Sequence, residues 1–389
     1  MATRTTGHYV NGSMAESRYQ AFIPDPLPPH PPMDMACNSL VWRKERADQA
    51  LGRLDGITLM LPDPALFLYQ YVRKEALLSS QIEGTQSSLS DLLLYELDEA
   101  PGVPLDDVEE VSNYVAALNH GLRRLREDDF PLSLRLIREM HALLLQGGRG
   151  GNKHPGEFRT GQVFVGGGTG ALAHFIPPPP DALNETLASF ERFLHTPSGE
   201  MPPLVKAALA HVQFETIHPF NDGNGRLGRL LIALILCNEG VLREPSLYLS
   251  LYFKRNRAAY YDRLNAVRVT GDWEGWLGFF LDGVADTAQQ AVDTAQRLLE
   301  LLAQDRARIA GLGSRAGNVG LVFEQFAQRI LLGAPQIQPY IALSAPTVRS
   351  AIRTLQGMDI LNELTGQRRN RVFVYQRYFE ILNEGAQPL

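Results

Sequence analysis

The stretch His218–Arg229 reads HPFNDGNGRLGR, and the apolar run LLIALIL follows it at Leu230–Leu236. The run marks a buried helix, and the preceding residues sit at its mouth. Gly223, Asn224 and Gly225 read as a flexible turn ahead of that helix. Free amides at a helix N-terminus, with the helix dipole, make an anion site. Glycines let a phosphate approach the backbone. Arg226 and Arg229 share one face of the first turn, and the planar guanidinium fork suits phosphate oxygens. Asp222 is a hard oxygen ligand of the kind that holds Mg²⁺ beside substrate phosphates. His218 titrates near neutrality and lies on the loop beside the anion site. Alone, each residue has an ordinary structural reading. In this order they describe phosphate-chain binding with a metal and a general base.

The rest of the chain frames that site. Its 389 residues are 44% hydrophobic, enough for a sizeable core, and 21% charged with a net charge of -6. That mildly acidic balance does not demand nucleic acid as the main partner. No apolar run reaches the ~18 residues of a membrane span, so no membrane partner is expected. The N-terminus lacks the apolar core of a signal peptide, and a cytoplasmic location is expected. Cys37 and Cys237, the only cysteines, do not suggest a disulfide framework.

The leader FIPDPLPPHPP is extended, because proline removes donors and restrains its neighbours. From about Ser39 the pattern turns helical. ALFLYQYVRKEALLSSQIEG repeats apolar residues at three- and four-residue spacing and stops at Gly84. Further amphipathic segments cover 108–125, 133–145, 182–194, 203–216, 226–239, 256–267 and 273–302. The expected fold class is therefore mainly α. GEFRTGQVFVGGGTGALAHFIPPPP breaks the pattern with the β-prone pieces QVFV and AHFI, read as a hairpin with a mobile tip. A glycine-containing linker is expected near 312. Beyond it, Ser344 can cap a helix over 346–356, and ILNEL and RVFVY flank the turn TGQRRN. Helix, then hairpin with a basic tip, is a winged-helix-like pattern. The expected domains are 1–105, 106–300 and 312–389.

His218–Arg229 resembles the signature of Fic-domain proteins, H-x-F-x-D/E-G-N-G-R-x-x-R, at every specified position. PGEFRTGQVFVGG…FIPPPP is similar to the Fic flap, LYLSLYFKRNRAAYYDRL to the helix after the motif, and EALLSSQIEGTQSSL to the Fic N-terminal region. The resemblance implies a helical Fic fold with a β-hairpin flap, and transfer of AMP from ATP to a Tyr, Thr or Ser hydroxyl of a protein substrate. By position it implies that His218 takes the hydroxyl proton and Phe220 anchors the loop. Asp222 would hold Mg²⁺, Gly223, Asn224, Gly225 and Arg226 would cradle the phosphates, and Arg229 would meet the γ-phosphate. Tyr261 would flank the adenine, with Asn256 near the nucleoside and 162–166 pinning the target by strand-like pairing. Intact Gly223 and Gly225 favour AMP transfer over the family's phosphotransferase branch.

SSQIEG, Ser79–Gly84, resembles the family's inhibitory motif S/T-x-x-x-E-G/N. By that likeness Glu83 pairs with Arg229 where the γ-phosphate belongs, and Ser79 supports it. Alternatives stand beside this reading. Glu83 could position a water for removal of AMP. The C-terminal domain, with Arg349, Arg353, Arg368, Arg369 and Arg371, could bind DNA as a regulator or bind protein. A homodimer is a further partner left open.

Overall fold

The computed structural model describes residues 4–14, 17–60, 64–95, 105–147, 150–167, 173–366 and 371–387. Strands β1 (Gly7–Met14) and β2 (Ser17–Pro24) form an antiparallel hairpin. Helices follow: α1 (Asn38–Met60), α2 (Pro64–Ile82), α3 (Leu89–Tyr95), α4 (Leu105–Arg126), α5 (Leu134–Leu144) and α6 (Pro180–Leu194). Next come α7 (Pro203–Ile217), α8 (Asn224–Asn238), α9 (Ser250–Arg255), α10 (Arg257–Thr270) and α11 (Trp273–Ala310). The C-terminal part contains α12 (Ala316–Arg329), β3 (Leu331–Gly333), α13 (Ala334–Ile337), α14 (Ala345–Gly357), β4 (Leu361–Glu363), β5 (Val372–Tyr375) and α15 (Gln376–Asn383). The mainly α expectation holds.

Local chemistry sets the helix boundaries. Ser133 accepts from the Leu136 amide at the start of α5, Asp272 from Gly275 at α11, and Ser344 from Thr347 at α14. Gly84, with φ of 103°, ends the turn after α2; a side chain would be strained there. Every side chain of α7 from Leu204 to Ile217 is buried. It packs against α6 and α8 on the helical side and β2 on the other. Trp276 of α11 donates to the Ala208 carbonyl at 2.9 Å, pinning α11 to the centre of α7. Helix α1 lies along α11, where Arg46 pairs with Asp282 and Asp286.

Two sequence expectations need correcting. Helix α8 starts at Asn224, so only Gly223 (φ 74°) belongs to the turn, and Asn224 and Gly225 already lie in the helix. The 156–180 hairpin is reduced to one bridge, Val165 with Phe175, and its expected tip at 168–172 lies outside the described residues. The residues up to about Pro32 are extended as expected, and Gly7–Met14 and Ser17–Pro24 of them pair as β1 and β2. The helical run breaks near 312, where a linker is expected. Helix α11 continues to Ala310, a short 3₁₀ turn covers Gly313–Arg315, and α12 begins at Ala316.

In the C-terminal part the three strands run in the order β3-β5-β4, all antiparallel. The expected helix and hairpin are α14 and β4–β5. The hairpin tip with Arg368 and Arg369 lies outside the described residues. Tyr375 donates to the buried Asp305 of α11 at 2.7 Å, and Arg306 makes a two-pronged pair with Glu324 of α12. The extreme C-terminus folds back over α2. Gln81 donates to the Ala386 carbonyl at 3.0 Å, Lys254 donates to the Gln81 side chain and the Gln387 carbonyl, and Arg297 holds Glu384.

Candidate active site

Helices α7 and α8 meet end to end through the loop His218–Gly223. His218 takes a left-handed conformation (φ 51°, ψ 61°), and its amide still bonds the Phe214 carbonyl at 2.9 Å. A non-glycine residue in that region is uncommon and needs support from its surroundings. Arg159 supplies much of it. Its Nε donates to the His218 carbonyl at 2.8 Å, and one terminal nitrogen donates to Pro178 and Ile217. Its own amide donates to Pro219 at 2.9 Å. Burial holds the Arg159 guanidinium down at about 10.

Phe220 is fully buried beneath the loop. The His141 ring stacks on it at 3.7 Å and 10°, and Phe158 lies on it at 5.2 Å. His141 accepts from the Gly156 amide at Nδ1, so its Nε2 carries the proton donated to the Asp222 carbonyl at 3.0 Å. Burial pushes His141 down to about 4, consistent with this neutral form. The Asn224 amide closes the loop from inside, accepting from the Phe220 N–H and donating to its carbonyl, each at 2.9 Å. Its side chain is thereby committed to the loop, and only its backbone remains for a phosphate.

The chemical groups face outward from this frame. A His218 ring N–H bonds the Glu215 carbonyl, leaving the other nitrogen as an acceptor. Burial, then Arg159, hold His218 down at about 4, so it is neutral at pH 7. Asp222 turns one oxygen onto the Gly223 amide at 2.6 Å and lies 3.5 Å from Arg226. Arg226 is buried and stands 3.1 Å from Glu110 of α4. That pair is not aligned as a hydrogen bond, and the Arg226 Nε and one Nη have no hydrogen-bond partner.

Arg229 is buried and held through two of its three guanidinium nitrogens. Its Nε donates to the Ser79 hydroxyl at 2.9 Å. One terminal nitrogen donates to the Ser79 carbonyl at 2.9 Å and to Glu83 Oε1 at 2.7 Å. Burial disfavours the Glu83 carboxylate, but the Arg229 charge outweighs it and holds the pKa below the usual value. The Glu83 side chain is still 39% open to solvent. A Cβ at Gly225 would come 2.3 Å from Glu83 Oε1, so the carboxylate rests directly on the first turn of α8.

The remaining expected residues lie farther out. Tyr261 is 42% exposed, and both Glu83 and Arg229 act electrostatically on its hydroxyl. Tyr260 is buried and bonds His211 at 2.8 Å; His211 in turn bonds the Gly228 carbonyl behind α8. The Asn256 amide donates to the Tyr252 carbonyl at 3.0 Å, within its own turn rather than toward the loop. Phe164 packs edge-on against Tyr19 of β2 at 5.4 Å, and Phe22 donates its amide to Ile176. The N-terminal hairpin thus backs the 162–176 segment. Sequence reading missed Arg159, His141, Glu110 and Glu215. Only Glu110 carried a usable signal: it interrupts the apolar stripe Val108, Val111, Tyr114, Leu118 of α4.

Residues 41–123 match the Fic/DOC family N-terminal model and residues 131–236 the Fic/DOC family model. This chain therefore contains the Fic N-terminal and Fic/DOC regions. It is similar to Protein adenylyltransferase Fic of Aedes aegypti, 30% identical over 263 residues, covering 64% of this chain and 47% of that protein. The protein of the same name from Culex quinquefasciatus is 32% identical over 219 residues, 54% of this chain and 39% of that protein. The chain thus spans less than half the length of these Fic relatives. A Fic family crystal structure from Desulfovibrio desulfuricans G20 superposes with a TM-score of 0.58 at 20% identity, covering 87% of this chain and 96% of that one. A Fic domain protein of Bacteroides thetaiotaomicron gives 0.51 at 21%, covering 64% and 97%. At such identities these two structures establish the shared Fic fold.

Proposed function

We propose that this chain is a protein adenylyltransferase that moves AMP from ATP onto a Tyr, Thr or Ser hydroxyl of a target protein, and that Glu83 holds it in check. The supporting observation is the position of Arg229. It stands on the first turns of α8, where helix amides and dipole favour phosphate, yet it is bonded to Ser79 and Glu83. A γ-phosphate and a carboxylate compete for the same guanidinium.

The loop chemistry fits the transfer. His218, neutral and with one ring nitrogen free, accepts the proton of the attacking hydroxyl. The hydroxyl oxygen forms its bond to the α-phosphorus, the bond to the bridging oxygen breaks, and pyrophosphate leaves. The α8 amides and the buried Arg226 guanidinium, whose Nε has no hydrogen-bond partner, are donors for the phosphates. Asp222 is the residue to hold Mg²⁺, whose charge would offset that of the phosphates. Among the described residues no cluster of three or more metal-ligating side chains occurs, and a single carboxylate fits an ion that takes its other ligands from phosphates and water. Residues 162–166 would pair with an extended target segment, and Tyr261 would flank the base.

A second reading has its own observation. Glu83 is ionised and open to solvent, and only Oε1 is taken by Arg229. The other oxygen could orient a water for removal of AMP.

The test is autolabelling with α-labelled ATP and Mg²⁺ for the wild type, Glu83→Gly, and Glu83→Gly combined with His218→Ala. Labelling that rises in Glu83→Gly and vanishes in the double variant supports the proposal. Equal labelling of wild type and Glu83→Gly removes the inhibitory role. Loss of AMP from a labelled target only when Glu83 is present favours the second reading.

A further inference from the structure

The C-terminal part contains a hollow of about 600 Å³ between α13, α14 and the start of β5. It lies apart from the catalytic loop, and no residue of that loop lines it. Its floor is Ile352 and Phe373, both buried. Arg349, Arg353 and Arg371 stand around its rim with Gln338. Arg349 and Arg353 are one turn apart on α14, and neither has an ion-pair partner among the described residues. Arg371 lies 3.4 Å from Glu363. Elsewhere in the molecule arginines are repeatedly matched by carboxylates, as in Arg306–Glu324 and Arg297–Glu384. Two unmatched like charges on one helix face repel each other, and an anion between them relieves that cost.

One face of α14, Val348, Ala351 and Leu355, is buried in the core. The exposed side carries Pro346, Arg349, Ser350, Arg353 and Gly357, and the two arginines on it also line the hollow. A cleft with an apolar floor and a few polar groups at its rim suits a small molecule.

We propose that this hollow binds a small phosphate-bearing molecule, its phosphate held by Arg349, Arg353 and Arg371 and its apolar body resting on Ile352 and Phe373. The guanidinium forks supply paired donors to phosphate oxygens, and Gln338 supplies a neutral polar contact at the edge. The site is independent of nucleotide binding at the catalytic loop.

The experiment is calorimetric titration of the full chain with inorganic phosphate, pyrophosphate and AMP, each used separately. The chains compared are the wild type, Arg349→Gln with Arg353→Gln, and Asp222→Ala with Arg229→Ala, all checked for folding by circular dichroism. The two α14 arginines are exposed, so their replacement leaves the core intact. Saturable binding of at least one probe is expected. It should weaken on the order of tenfold or more in the α14 variant, since charge-assisted bonds are being removed, and persist in the catalytic-loop variant. Binding lost only in the catalytic-loop variant overturns the proposal, as does absence of saturable binding by all three probes. Salt-steep binding of a duplex oligonucleotide, lost in the α14 variant, also overturns it and assigns the arginines to nucleic acid.

Discussion

At the residue scale the site is a set of neutral and charged groups whose states are set by burial. His218 is held near 4, so it is a free base at pH values where an ordinary histidine is half protonated. Glu83→Gly removes a carboxylate that raises His218, and so lowers it further. Transfer by that variant should stay flat from pH 8 to 6 as far as this group is concerned, and fall with this group only below about 4; a decline centred near 6.5 in a pH–rate profile would contradict the assignment. His218→Ala in the same background should cost ~10²–10⁴-fold in rate with an unchanged melting temperature. Glu215 has the opposite bias. Burial, with one oxygen lacking a hydrogen-bond partner, raises it from 4.5 to about 7. The folded state therefore binds that proton more tightly than the unfolded state. The stabilisation is full below 4.5 and is lost as pH rises to about 7. Glutamine cannot ionise, so Glu215→Gln should match the wild type at pH 4.5 and exceed it at pH 8, by on the order of 3 kcal/mol at most. Denaturant unfolding at both pH values measures this, and an equal difference at both would show that Glu215 is not protonated in the fold.

At the element scale the junction of α7 and α8 carries the proposed site, and Arg159 fastens it from a segment 59 residues away. Arg159→Met would leave the carbonyls of Pro178, Ile217 and His218 short of a donor. Buried unsatisfied groups cost ~1–3 kcal/mol each, so the variant should unfold at lower denaturant and lose turnover more than ATP affinity. A steady-state comparison in the Glu83→Gly background checks the split. This junction was legible in the sequence because its residues are contiguous, and so was α14, because Ser344 and Pro346 announce its start. The Glu83–Arg229 pair was reached through the likeness of SSQIEG to a known motif, not through its spacing. What was hidden depends on remote partners. β3 has three residues, and Leu331 pairs with Val374, far along the chain. The pairing of β1 with β2 was masked by the prolines just beyond it. Arg159 looks like any loop arginine until its carbonyl partners arrive from α7. The boundary of α8 was misplaced because Gly225 reads as a breaker. In the fold Gly225 is needed for clearance from the Glu83 carboxylate, while its backbone stays helical.

At the scale of the whole molecule residues 384–387 and the end of α2 are physically joined. Ala386 is fully buried, and its carbonyl, with that of Gln387, takes donors from Gln81 and Lys254. Removing residues 384–389 would strip the Gln81 amide and the Lys254 ammonium of these partners and loosen the end of α2 two residues before Glu83. The truncated chain should melt lower and autolabel more than the wild type; unchanged labelling with a lowered melting temperature would separate the strap from the brake. Helix α11 joins the same regions along another route. Its 38 residues measure ~57 Å at the usual rise per residue. Near one end it is pinned to the centre of α7 by Trp276, and near the other Asp305 takes the Tyr375 hydroxyl. Helix α1 is laminated along its flank. The Tyr375–Asp305 and Trp276–Ala208 bonds therefore fasten the C-terminal part and α7 to one continuous strut, and the α7 it holds leads straight into the His218–Gly223 loop.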